Sequence, residues 1–186
     1  MKIRIIFVLL AIFAGSLGPQ LSAETPGTWI DVPFVAQSRD GCGSASISMV
    51  IRYWENKGTQ PASPSVADPE KIQSALFSPA ASGIPASMMR KYFQDIGYRA
   101  FAFQGQWGDL KHHLEQGRPL IVGVRESWAH GPLHYVVLVG IDPERGYVFV
   151  NDPAQQKMLR ISREGFESEW SSTHNWTLLA VPRVSD

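Results

Sequence analysis

Residues 134–152 read HYVVLVGIDPERGYVFVND, two apolar, β-branched runs joined by Asp-Pro-Glu-Arg-Gly. Such runs suit strands, and the polar, turn-forming residues 142–146 suit a hairpin connection between them. A hairpin returns the chain to its own start. His134, which opens the first strand, should therefore lie beside Asn151 and Asp152, which end the second. Neighbouring strand residues face opposite ways, so only one of Asn151 and Asp152 can turn toward the His134 ring.

Working outward, 119–125 (PLIVGVR) and 176–182 (WTLLAVP) read as further strands, making the C-terminal half a mostly antiparallel sheet. Upstream the pattern is helical. Apolar residues at helical spacing predict a helix from Cys42 to Lys57 that stops at Gly58. A short helix is predicted over 69–77, with Asp68 as N-cap and Pro69 at the first helical position. Others are predicted over 85–96, 109–116 and 162–170, with a strand at 98–103 and a leading extended segment, 29–35, broken at Pro33. Helices come first and strands later, so the fold class is α+β, with N-terminal helices packed against the C-terminal sheet.

The chain holds one cysteine, in QSRDGCGSAS, residues 37–46. A lone thiol is a buried hydrophobe, half of an intermolecular bridge, or a reactive group. Cys42 falls in the first turn of its helix, where unpaired amides and the helix dipole favour negative charge, and the negative form of sulfur is the nucleophile. Gly41 and Gly43 would allow close approach of a backbone or a substrate, and Asp40 is a candidate cap. A nucleophile of this kind needs an imidazole. His112 and His113 sit in a polar helix and His130 and His174 in connections, whereas His134 heads the most apolar strand. It is either a strand-end histidine satisfying its loop or the base. An imidazole in turn needs an orienter, Asp152 or Asn151. Gln37 could supply an amide to an oxyanion, or be solvated.

Composition narrows the remaining classes. Lys plus Arg and Asp plus Glu both total 17, and no basic stripe appears, which argues against nucleic acid as a partner. One cysteine with dispersed histidines lacks the close ligand pairs of a zinc site. There is neither a glycine-rich phosphate loop nor a Cys-x-x-Cys pair, so no metal or cofactor is expected. Residues 1–23 have the layout of a secretory signal peptide: Lys2 and Arg4, an apolar run too short to span a bilayer, then small residues to Ala23. The expected mature domain, 24–186, would be periplasmic or secreted, without a stable membrane span and open to a cell-envelope partner.

In combination, the stretches VPFVAQ (32–37), DGCGSA (40–45), MVIRYW (49–54), HYVVLVGID (134–142) and VFVNDP (148–153) resemble the C39-like branch of the papain-like cysteine peptidases. That group includes bacteriocin-leader peptidase domains and stand-alone relatives. The resemblance implies a papain-like fold and hydrolysis of a peptide bond in a peptide or protein substrate, through an acyl-enzyme. It assigns Cys42 as nucleophile, His134 as general base, Asp152 as orienter and Gln37 as oxyanion donor. Leader-processing members cut after a double glycine on the cytosolic side, whereas the signal peptide points this chain across the membrane. The same thiol chemistry would also serve an acyl transferase, and an inactive fold would serve as a peptide-binding envelope module.

Overall fold

A computed structural model describes residues 27–58, 64–125 and 133–183. The signal-peptide reading, the start of the loop after Gly58, Trp128 and His130 lie outside the described residues. The strands are β1 (Thr28–Trp29), β2 (Tyr98–Gln104), β3 (Leu120–Val124), β4 (His134–Asp142), β5 (Tyr147–Asn151), β6 (Leu159–Ser162) and β7 (Trp176–Pro182). The helices are α1 (Cys42–Asn56), α2 (Pro69–Leu76), α3 (Ala86–Asp95), α4 (Trp107–Glu115) and α5 (Arg163–Ser171). The strands form one antiparallel sheet in the order β2-β7-β3-β4-β5-β6, with β1 attached to β4. N-terminal helices packed on this sheet make the α+β, papain-like arrangement that the sequence led us to expect.

β4 is the centre of the molecule. It is buried on both faces, which is why its sequence runs continuously apolar instead of alternating. Tyr135, Val137 and Val139 face a core built with α1, α2 and α3, through Ile47, Met49, Ile51, Ile72, Met89 and Phe93. Val136 and Leu138 face a second core with α4 and α5, through Leu110, Leu114, Phe166 and Trp170. A register shift between Leu138 and Gly140 accompanies the arrival of β1. There Trp29 comes so close that a Cβ on Gly140 would sit 2.8 Å from Trp29 Cβ, so only glycine fits.

Helix α1 is buried without interruption from Gly43 to Ile51. Its three buried serines each donate to a backbone carbonyl: Ser44 to Gly41 (3.0 Å), Ser46 to Tyr135 (3.2 Å) and Ser48 to Ala67 (2.6 Å). Burial without those partners would be costly. The Ser46 bond ties the first turns of α1 to the start of β4.

Several boundaries differ from the sequence reading, each for a local reason. Of the leading segment 29–35 only Trp29 is in a strand, the two-residue β1. α4 starts at Trp107 because Gln106 and Asp109 make a reciprocal cap, with Asp109 Oδ2 accepting from Gln106 N at 2.8 Å. Asp68 caps α2 as expected, accepting from the amides of Glu70 and Lys71. Asp40 does not cap α1: the N-cap is Gly41, no side chain serves it, and Asp40 itself turns through φ +55°. β6 was missed, since its four residues resemble the run into α5.

Asn151, fully buried, cross-links the leading segment to the loop after β5. Its Nδ2 donates to Val32 O (3.0 Å) and its Oδ1 accepts from Met158 N (3.0 Å). Asn151→Ala strands the buried Val32 carbonyl and the half-buried Met158 amide and should cost about 2–4 kcal/mol. Urea unfolding should register this as a lower midpoint with an unchanged slope.

Candidate active site

Antiparallel pairing brings the end of β3, the start of β4, the end of β5 and the start of β6 to one edge of the sheet. The N-terminus of α1 arrives at the same edge. A cavity of about 530 Å³ opens there, and its lining includes Gln37, Cys42, His134 and Asp152. The structure thus gathers residues separated by more than a hundred positions in the chain.

Cys42 is the first residue of α1 and is half-buried. The first amides of a helix have no intrahelical acceptor, so those at Cys42 can serve a ligand. The flanking glycines answer to the protein and not to a substrate. A Cβ on Gly41 would lie 3.0 Å from the backbone oxygen and the hydroxyl of Ser38, and one on Gly43 3.0 Å from Ile84 Cβ. The first is required by the tight turn closed by Gly41 N to Ser38 O (3.0 Å), the second by the seating of α1 against Ile84.

His134 stands at the head of β4, its Nε2 2.8 Å from Asp152 Oδ1. Asp152 is almost wholly buried, and every other contact of its carboxylate is a donor: Ala154 N to Oδ1 (2.9 Å) and Gln155 Nε2 to Oδ2 (2.8 Å). Burial alone would lift its pKa, but the bond to His134 and the other donors outweigh it and hold the carboxyl below its ordinary value. For His134 burial pulls the pKa down. The hydrogen bond to Asp152, with the influence of the Asp152 carboxylate and the nearby Cys42, overcomes that and raises it to about 9. Because Nε2 is engaged by Asp152, Nδ1 is the ring nitrogen left for the sulfur.

Asn151, the competing orienter, faces away and is engaged with Val32 and Met158. Gln37 is anchored by its own backbone, with N–H donating to Pro153 O at 2.9 Å, one residue beyond Asp152. Its side chain lines the cavity, and Oε1 is enclosed with no hydrogen-bond partner among the described residues. The other described histidines are elsewhere: His112 and His113 touch each other on α4, and His174 sits in the turn before β7. Trp107 packs under the Arg163 guanidinium and Trp170 stacks on Phe166, and neither lines the cavity. Among the described residues, no group of three or more His, Cys, Asp or Glu could hold a metal ion. No described helix is long and apolar enough to cross a membrane.

Sequence reasoning did not find the remaining lining residues, which include Arg125, Leu159, Ile161, Phe166 and Glu169. The alternation Leu159-Arg-Ile161-Ser162 was the available signal for two of them.

Residues 29–177 match the model of the Peptidase_C39 like family. In three dimensions the chain is similar to a C39-like peptidase from Bacillus anthracis, at TM-score 0.64 and 16% identity, over 86% of this chain and 100% of that one. The peptidase domain of Streptococcus ComA, a bi-functional ABC transporter of a quorum-sensing pathway, gives TM-score 0.64 at 19% identity, over 82% and 100%. A double glycine motif protease from an AMS/PCAT transporter, solved with its leader peptide, gives 0.61 at 21%, over 84% and 95%. At these identities the likeness is one of fold. No curated protein matches the chain.

The pKa directions fix how stability should follow pH. His134, raised from 6.5 to about 9, contributes fully below 6.5 and loses its contribution as pH rises toward 9. Asp152, lowered from 3.8, contributes above that value and loses its contribution only as pH falls through its depressed one. Denaturant midpoints should therefore decline between pH 6.5 and 9. His134→Ala should flatten that decline, and titrating both proteins by urea unfolding checks it.

Proposed function

The chain belongs to the Peptidase_C39 like family, and from that membership we propose that it is a thiol-dependent peptidase acting through Cys42, His134, Asp152 and Gln37. The observation that carries the proposal is the 2.8 Å bond between His134 and a buried Asp152 in the cavity that also holds Cys42. A histidine serving only its own loop needs no buried carboxylate, and no sulfur beside it.

In this reading the Cys42 sulfur attacks the scissile carbonyl carbon and its proton resides on His134. The carbonyl π electrons move to oxygen, which the Cys42 N–H and the Gln37 amide stabilise. The tetrahedral centre collapses as His134 gives its proton to the departing amine, leaving a thioester on Cys42. Neutral His134 then takes a proton from water as the water oxygen attacks the thioester. Collapse of that second centre releases the acid and restores the sulfur and the proton. Asp152 holds the ring with Nδ1 toward the sulfur and favours the charged imidazole that donates to the amine. The charged and apolar pattern of residues 1–23 supports placing this activity in the periplasm or outside the cell.

Incubation with a peptide mixture, read by mass spectrometry, should yield cleavage products that vanish in Cys42→Ala. An intact mixture with wild-type protein would overturn the proposal. Gln37→Ala should lower kcat roughly 10²–10³-fold, by analogy with loss of one oxyanion donor. The alkaline limb of the wild-type rate profile should lie near pH 9, where His134 loses its proton. Asp152→Asn should move that limb toward lower pH, because the interaction holding the proton on the ring is weakened.

A further inference from the structure

The cavity does not end at Cys42 and His134. Its lining extends to the α5 side of the sheet, through Val136, Leu159, Ile161 and Phe166, with Arg125 and Glu169 beside them. Val136 and Phe166 are 3% and 0% exposed and form the floor. Leu159 and Ile161 are half-buried, so they supply the apolar surface that a ligand could still cover. The backbone of Arg125 donates to Glu169 O at 3.2 Å, which ties the end of β3 to α5 beside this arm.

The two arms of the cavity differ in chemistry. The α1 arm holds Gln37, Asp40, Cys42 and Ser82, groups suited to a peptide backbone and its reacting carbonyl. The α5 arm offers hydrocarbon. Arg125 and Glu169 also border this arm, but Leu159, Ile161 and Phe166 have no polar side-chain atom to offer a charged group laid against them. A glycine would leave them uncovered. A large apolar side chain would displace water from them, and a volume of about 530 Å³ accommodates it together with the backbone that carries it.

We infer that the α5 arm is a subsite for one large apolar side chain, of leucine, methionine or phenylalanine size, on a substrate residue flanking the scissile bond. The inference rests on the peptidase reading for what the substrate is, and on Leu159, Ile161 and Phe166 for what it prefers. It separates this chain from a peptidase that requires a double glycine before the cut.

Recognition beside the thiol can be measured without hydrolysis. Cys42 is labelled with iodoacetyl-glycinamide, iodoacetyl-leucinamide and iodoacetyl-phenylalaninamide, and each rate is divided by that of iodoacetamide in the same protein. The leucine and phenylalanine probes should label at least tenfold faster than the glycine probe. Ile161→Trp, which fills the arm, should bring the three rates within about twofold, and Leu159→Trp provides a second filling variant should the first fail to fold. Equal rates for the three probes in the wild type, or a preference that survives in a folded filling variant, would overturn the subsite. The peptide mixture separates the two ideas. Cleavage with no apolar residue enriched beside the cut removes the subsite and leaves the peptidase. A probe preference without any cleavage removes the peptidase and leaves the subsite.

Discussion

The seating of α1 on β4 is the constraint from which the site follows. Cys42 is the first residue of one element and His134 the first of the other, so whatever fixes helix to strand fixes sulfur to ring. The hydrogen bond from Ser46 to Tyr135 O (3.2 Å) joins the two within one turn of each starting residue. Behind it, Ile47, Met49 and Ile51 pack in the same core as Tyr135, Val137 and Val139. Each fully buried aliphatic side chain contributes about 1.5–3 kcal/mol, against about 1 kcal/mol for a typical hydrogen bond. The apolar contacts therefore supply the strength of the junction, and the serine bond supplies its register.

That division explains how polar groups can be held in an enclosed cavity. The Asp152 carboxylate is buried, which is unfavourable on its own, and donors from His134, Ala154 and Gln155 offset the cost. Ala154 and Gln155 follow Asp152 directly, so the loop after β5 brings these donors whenever it forms. Asn151 fixes that loop from the other side by reaching Val32, and Pro153 O in turn receives Gln37 N–H. One short run, Asn151 to Gln155, thus orients the imidazole, braces its own carboxylate and positions the leading segment that carries Gln37. Substitutions in this run should act on the cavity as a unit and not add independently.

Long periodic elements were legible in the sequence, and the site elements were legible through them. The hairpin in residues 134–152 put His134 and Asp152 at one end of the sheet, and alternation required Asn151 and Asp152 to diverge. Alternation does not say which of them faces inward. That depends on the shift in pairing between Leu138 and Gly140, a consequence of how closely β1 approaches. The glycines around Cys42 could be recognised as close-approach residues, but what approaches, Ser38 and Ile84, is a tertiary fact. Asp40 has the composition of a cap and fails as one because its backbone turns through φ +55° just before the helix. The apolar arm was illegible because its walls come from three separate elements, β4, β6 and α5.

Strand ends are the only places where a side chain can reach both faces of a sheet. His134 shares its face with Val136 and Leu138, toward α5, yet Cys42, which lines the same cavity, belongs to a helix on the opposite face. A side chain on that face in the middle of β4 could not share a cavity with Cys42, since the sheet itself would intervene. Placing the imidazole at the first residue of the strand resolves the geometry, and it also requires the cavity to wrap around the edge. A cavity that wraps in this way necessarily borders both cores. It has polar groups where the α1 helix starts and hydrocarbon where the α5 core comes to the surface. The two-sided chemistry of the cavity is thus a direct consequence of which strand position carries the histidine.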